Sequence, residues 1–334
     1  MTLTSLEREA AAIAAAPVVS VRGLVKRYGE IEAVRGIDLD VQPGELFGFL
    51  GPNGAGKSTT IKILCTLVTP TAGEARVAGL DVRTDRAAVR RHIGLVFQET
   101  TLDDYLTAEQ NLRFHAAIYG MPRRDTDPRI DAVLDLVGLS DRRLSKVRTF
   151  SGGMKRRLEI ARGLLHSPRV LFLDEPTIGL DPDSRLTLWR YVDELRERED
   201  ITVFLTTHYM DEAERCDRIA IINHGDIVAL GTPAALKAAV GDDLVRIHTT
   251  DNPAAVSVIR DRLGIEAVPD GDALLLTVPD GEEFVPRLFE IGISVRSVSV
   301  SRPTLDDVFM THAGRRMGEE EEAAAVRPMV RWTR

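Results

Sequence analysis

The chain has 334 residues, with 43 Lys and Arg against 51 Asp and Glu for a net charge of −8, and 44% of it is hydrophobic. That length suits about two domains with a sizeable core, while the acidic balance and an aromatic content of only 5% weigh against a nucleic-acid binder. Two cysteines exclude a disulfide scaffold or a cysteine-rich metal cluster and fit a reducing compartment.

Residues 1–17 read as a flexible extension, because Glu7 and Glu9 stand where a signal peptide carries positive charge. From 18 to about 230, short β-branched runs alternate with helical patterns, the rhythm of a parallel α/β sheet. The clearest buried strands are 170–173 and 201–206, each a continuous apolar or β-branched run. A helical subdomain is expected at about 99–150. From 243 the order becomes strand 244–249, helix 253–263, strand 266–268, strand 273–278, helix 282–291 and strand 294–300, which is the β-α-β-β-α-β order of a ferredoxin-like unit. Gly241-Asp242-Asp243 marks the joint, dividing an α/β domain at 18–240 from an accessory α+β domain at 241–313. Leu305, Val308 and Phe309 lie on one face of a last helix, expected to be free to pack on a neighbour. Residues 314–334, with the acidic block Glu319 to Glu322, read as a disordered tail. No run of about 18 apolar residues occurs, so no helix of this chain is expected to cross a bilayer.

The first chemical motif is Gly51-Pro52-Asn53-Gly54-Ala55-Gly56-Lys57-Ser58, followed by Thr59, which matches the phosphate loop G-x-x-x-x-G-K-[ST] in full. An apolar run precedes it as a strand, and Ile61, Leu64, Cys65 and Val68 follow at helical spacing. The glycines let backbone N–H groups turn inward and the helix adds its positive end, so the loop is an anion cradle. Lys57 would reach the β- and γ-phosphates and Ser58 would ligate Mg²⁺. Cys65, on the apolar face, reads as a small core residue. A phosphate loop alone could serve a kinase, a GTPase or a motor.

The second motif, Asp174-Glu175, closes a buried strand at the end where ligands of open α/β sheets sit. Asp174 suits a Mg²⁺ held through water and Glu175 the orientation or deprotonation of an attacking water. Without the phosphate loop the pair would read as a cap or turn. The third motif is Ser151-Gly152-Gly153-Met154 at the start of a helix, which is an N-cap and also a second set of free N–H groups suited to an anion.

Together these residues resemble the ATP-binding subunits of ABC transporters, over about 18–232. Phe150-Ser151-Gly152-Gly153-Met154 takes the place of the family's LSGGQ signature, with Met154 for Gln as a departure that leaves the serine and both glycines. By the same resemblance Tyr28 is the aromatic that stacks on adenine, Gln98 the Q-loop glutamine offering an oxygen to Mg²⁺, Asp181 in Gly179-Leu180-Asp181 the D-loop aspartate, and His208 the switch histidine on the γ-phosphate. Each has a duller alternative: Tyr28 could cover a sheet edge, Gln98 could be a loop amide, and His208 a histidine at a strand end. The resemblance implies a P-loop NTPase core and a head-to-tail homodimer. In that dimer ATP is sandwiched between the phosphate loop of one subunit and Ser151 and Gly153 of the other. It further implies separate membrane permease subunits and a place at the cytoplasmic face of the membrane. The extension through Arg302-Pro303-Thr304-Leu305-Asp306-Asp307-Val308-Phe309 resembles the daunorubicin-resistance type of exporter ATPase, which favours export of a drug or lipid. An importer ATPase or a non-transport ABC ATPase are the alternatives, since the cradle chemistry encodes no direction.

Overall fold

The structure is a computed structural model that describes residues 16–199 and 201–313. All of the expected tail and nearly all of the expected N-terminal extension lie outside the described residues. The chain divides into two compact units between Leu230 and Gly231.

The first unit opens with β1 (Val19–Tyr28) and β2 (Ile31–Val41), which pair antiparallel from Val19↔Val41 to Tyr28↔Ile31. Next come the fully buried β3 (Leu46–Leu50), α1 (Lys57–Leu64), β4 (Ala72–Val77), β5 (Leu80–Asp81), α2 (Arg86–Arg91) and β6 (Ile93–Val96). One sheet has the order β2-β1-β4-β5 and is antiparallel throughout. It departs from the wholly parallel reading of this region. Its strands alternate buried and exposed positions, as in β2, because one face packs on the core and the other meets water.

A helical segment follows, with α3 (Ala108–Ile118), α4 (Arg123–Leu136) and α5 (Gly152–Leu164) packed on one another. Thr107 starts α3 with a capping box, its hydroxyl accepting from the Gln110 N–H while the Gln110 side chain accepts from the Thr107 N–H. Glu109 is clasped by Arg113 at 2.6 Å and Arg143 at 2.7 Å, which tie α3 to the loop after α4 and hold the carboxyl at about 2. The Arg143 hydrogen bond is the leading cause of that shift.

The chain then returns through β7 (Val170–Asp174), α6 (Pro182–Glu199), β8 (Thr202–Thr207), α7 (Met210–Ala213), β9 (Arg218–Asn223) and β10 (Asp226–Gly231). The second sheet has the order β10-β9-β3-β8-β7-β6, and the pairs from β9 to β6 are all parallel. The expected buried strands are β7 and β8, and every residue of both is buried. Phe47, Phe49, Phe172 and Phe204 meet at ring separations of 5.3 to 5.7 Å in the core beneath α1. Cys65 is buried in the same cluster, and burial pushes its thiol well above its usual value, so it is a core residue as its spacing suggests.

The second unit contains α8 (Pro233–Val240), β11 (Asp243–Thr249), α9 (Asn252–Leu263), β12 (Ala267–Asp270), β13 (Ala273–Val278), α10 (Gly281–Glu290), β14 (Val295–Ser301) and α11 (Leu305–Ala313). Its antiparallel sheet has the order β12-β13-β11-β14, the ferredoxin-like arrangement. Two expectations are corrected here. The unit begins at Gly231 rather than at 241, because α8 packs on α11 at the other end of the same unit. For the same reason α11 is not left free: Leu305, Val308 and Phe309 are buried. Thr232 caps α8, its hydroxyl accepting from the Ala235 N–H, and Pro233 stands at the first helical position. Among the described residues no helix is long and apolar enough to cross a membrane.

Candidate functional site

Four neighbouring parallel strands, β3, β8, β7 and β6, end on one edge of the sheet, and the residues that follow them carry the chemistry. After β3 the loop 51–56 must pass close to other backbone. A Cβ on Gly51 would strike the carbonyl of Ile222, and Gly56, at φ +112°, caps α1 where a Cβ would strike the carbonyl of Ala33. Ala55 is buried, its N–H donating to the Pro52 carbonyl at 3.2 Å. The loop frames a recess of about 150 Å³ lined by Pro52, Asn53, Gly54, Gly56, Lys57, Ser58, Thr59, Gln98 and Glu175. Gln98, from the loop after β6, thus meets the phosphate loop.

Lys57 folds back over the loop and is almost fully buried. Its ammonium donates to the carbonyls of Gly51 at 2.6 Å and Pro52 at 3.1 Å and pairs with Glu175 at 3.1 Å. Asp174, the last residue of β7, is buried and accepts on one oxygen from the hydroxyls of Ser58 at 3.1 Å and Thr206 at 2.6 Å. Glu175 takes a left-handed backbone, φ +48°, which costs a non-glycine residue roughly 1–2 kcal/mol. Its N–H is held by the hydroxyl of Thr206 at 3.0 Å and by the Thr206 carbonyl at 3.2 Å. His208, just beyond β8, brings Nδ1 to 3.5 Å from the Glu175 carboxylate, near it but without a formed hydrogen bond. Burial, the largest influence, would raise the Glu175 pKa, but His208 and Lys57 together outweigh it and hold the carboxyl below its usual value.

The remaining expected residues lie outside this recess. Ser151 caps α5, accepting from the Met154 N–H at 3.3 Å, and is exposed together with Gly152. Gly153 is buried against Ser184. Asp181 precedes α6 and accepts from the Ser184 N–H at 2.9 Å and hydroxyl at 2.6 Å, so it also acts as a helix cap. Tyr28 ends β1 about half exposed, with the Lys26 ammonium 4.8 Å from its ring centroid.

Three polar groups that the motifs do not mark complete the arrangement. Thr206 joins Asp174 to Glu175 through one hydroxyl. Glu212 is buried and accepts from the hydroxyls of Thr177 and of Thr207, at 2.6 Å for the latter, which links the segment after Glu175 to the strand before His208. Burial is what raises its pKa above the ordinary value. Arg156, on α5, is buried and donates to the carbonyls of Pro176 at 2.6 Å, Asp174 at 3.1 Å and Phe97. In sequence these read only as strand or helix residues, and a buried Arg within three residues of a buried Glu is the one signal that could have drawn attention.

The family described as ABC transporter matches residues 34–178, and the one described as ATP-binding protein DrrA1-3-like, C-terminal domain, matches 231–313. The daunorubicin/doxorubicin resistance ATP-binding protein DrrA of Streptomyces peucetius is 40% identical, over 92% of this chain and 96% of its own. The linearmycin resistance ATP-binding protein LnrL of Bacillus subtilis is 37% identical, over 89% of this chain and 99% of its own. Among solved structures, the dimeric post-hydrolysis state of the ATP-binding cassette MJ0796 bound to ADP and Pi superposes with a TM-score of 0.58 at 28% identity, covering 64% of this chain and 98% of that one. The cbiO1 subunit from Clostridium perfringens, part of the ABC transporter complex cbiONQ, gives 0.63 at 26% identity over 75% and 97%. A phosphate-loop motif, a buried acid pair and a histidine on one sheet edge, within a chain matched along nearly its whole length, identify a member of the ABC transporter family: an ATP-binding, ATP-hydrolysing subunit of the daunorubicin-resistance type.

Proposed function

We propose that the chain energises the export of a drug or lipid through separate membrane permease subunits, working as a homodimer that closes head to tail over ATP at the cytoplasmic face of the membrane. The observation that carries this reading is the division of the site: the phosphate loop, Gln98, Glu175 and His208 converge, whereas Ser151 and Gly152 are exposed elsewhere on the same unit. A second anion cradle set apart from the first and exposed suits a nucleotide held by another copy. Relatives named for daunorubicin, doxorubicin and linearmycin resistance, and a dimeric solved cassette, support drug export and dimerisation.

The loop N–H groups of 53–58 other than that of Ala55, together with the Lys57 ammonium, would hold the phosphates, Tyr28 would stack on the adenine, and His208 would donate to the γ-phosphate. Ser58, Gln98 and Asp174 are all oxygen donors, and among the described residues no cluster of three or more His, Cys, Asp or Glu stands ready for a metal. So sparse an oxygen set fits Mg²⁺, which retains water and takes phosphate oxygens and would supply charge neutralisation there. Glu175 takes a proton from the attacking water as its oxygen bonds to the γ-phosphorus and the bond to the β-phosphate oxygen breaks. Asp181 of each subunit would face the other across the closed dimer.

The test combines two measurements. ATP should drive the Glu175→Gln protein to a dimer in light scattering, and affinity capture from membranes should recover a multi-span permease whose cells accumulate less drug. A protein that stays monomeric with ATP and recovers ribosomes or soluble proteins alone would instead favour a non-transport ABC ATPase, and drug uptake driven by the complex would favour an importer.

A further inference from the structure

Arg156 has a place that catalysis as described above does not use. It lies on α5, a little over one turn beyond the Ser151 cap, and is only 6% exposed. Its planar guanidinium reaches three backbone carbonyls on two separate segments. Nε donates to the Pro176 carbonyl at 2.6 Å and one terminal nitrogen to the Asp174 carbonyl at 3.1 Å, so the group grips the backbone on both sides of Glu175. The other terminal nitrogen donates to the Phe97 carbonyl, immediately before Gln98, and to Glu159 at 3.2 Å. Burial pulls the guanidinium below its usual value and Glu159 offsets this, but arginine keeps its charge in proteins.

Glu159 and Arg162 extend the grip. The Glu159 carboxylate accepts from the Thr101 N–H at 2.7 Å, and Arg162 donates to the Thr101 hydroxyl at 2.6 Å. The loop carrying Gln98 is therefore held at 97 and again at 101 by the same helix. The turn carrying Glu175, whose left-handed backbone persists only if its surroundings over-determine it, is held at 174 and 176. One rigid fork thus ties the segment after β6 and the turn after β7 to the same helix, α5.

We propose that Arg156 is a positioning residue that makes the placement of Glu175 and Gln98 depend on α5, so that an anion caught at Ser151 is sensed at the other nucleotide site of the dimer. This rests on the reading of Ser151 as a phosphate contact and Glu175 as the base. Within one subunit the path is short: α5 moves as a unit when its N-terminus engages phosphate, and the carbonyls bonded to Arg156 follow. The two sites then communicate through a main-chain linkage rather than through the nucleotides themselves.

The experiment uses the full chain with Arg156→Lys, which keeps the charge beside Glu159 but cannot reach three carbonyls at once. Loss of such bonds should lower kcat about tenfold, with the affinity for a fluorescent ADP analogue changed less than about twofold. Hydrogen exchange of the nucleotide-free protein should quicken at 97–101 and at 174–178 together. Adding Ser151→Ala should cost Arg156→Lys less than it costs the wild type, since the route from Ser151 is already cut. Glu159→Gln should show the same pattern more weakly, and it carries the test if Arg156→Lys does not fold. Exchange that quickens only within α5, or in neither loop, overturns the proposal, as does a Ser151→Ala cost of the same fold in both backgrounds. Because the exchange is read without nucleotide, its outcome is separate from whether Glu175 is the base, which Glu175→Gln decides.

Discussion

Replacing Glu175 with Gln keeps the side-chain volume and the left-handed turn but removes the charge that Lys57 faces at 3.1 Å, with both groups under a tenth exposed. Loss of the proposed general base should slow hydrolysis by about 10²–10⁴-fold. A less obvious consequence concerns binding. The ammonium is engaged by Glu175, and phosphate must compete for it. At an effective dielectric constant of about 20 the pair is worth roughly 5 kcal/mol before desolvation is subtracted. Desolvation cancels most of that, but a residue of about 1.4 kcal/mol corresponds to about tenfold in affinity. The Glu175→Gln protein should therefore bind ATP about tenfold more tightly while turning it over far more slowly, measured by fluorescent-nucleotide titration and phosphate release. An unchanged steady-state rate would remove Glu175 from its role, and weaker binding would refute the competition with Lys57. The sign of the acid dependence follows from the same contacts. The native pKa is depressed, so the stability that the charged group contributes is fully present above about pH 4.3 and is lost as pH falls through the depressed value. The melting difference between the wild type and Glu175→Gln should shrink accordingly in acid.

Lys57→Ala should weaken ATP binding by about tenfold or more in the same titration, and near-wild-type affinity would count against the cradle. Ser151→Arg added to Glu175→Gln should abolish ATP-driven dimerisation in light scattering while monomeric nucleotide binding survives; a double variant that still dimerises makes Ser151 only a cap. Glu109→Gln should lower the melting temperature at pH 6, with the difference fading as pH falls from about 4.3 towards the native value of about 2; a difference independent of pH would mean that the clasp by Arg113 and Arg143 is not electrostatic. A chain ending at Leu230 should still bind ATP, whereas one ending at Gly241 carries α8 without α11 and should lose the native protection of α8 in hydrogen exchange; loss of nucleotide binding by the folded shorter chain would place the second unit in the active site.

The parts of the site that stand on short, patterned stretches were open to reading from residues alone. The phosphate loop needs glycines where backbones approach, as Gly51 and Gly56 do, and a buried run must precede the acid pair, as β7 does. The ferredoxin-like order of the second unit was likewise visible in the succession of strand and helix patterns after 243, beginning with the alternation of β11. What was not legible depended on distance in sequence. The antiparallel pairing of β1 with β4 has no local signature, and Arg156 finds its carbonyls across 18 to 59 positions of chain. The start of the second unit is not legible because α8 is a short Ala-rich helix that buries only Pro233 fully, so its allegiance to α11 could be seen only in three dimensions.

The contact of Gly153 with Ser184 has a consequence for recognition. A Cβ at 153 would come within 2.6 Å of the Ser184 hydroxyl oxygen, the same oxygen that Asp181 holds at 2.6 Å. The turn into α5 and the turn into α6 are therefore keyed together by one hydroxyl, and any side chain at 153 forces Ser184 to rotate away from its carboxylate. A second copy approaching this surface would meet a single composite epitope rather than two independent loops. Its two halves could evolve, or be engineered, only in step.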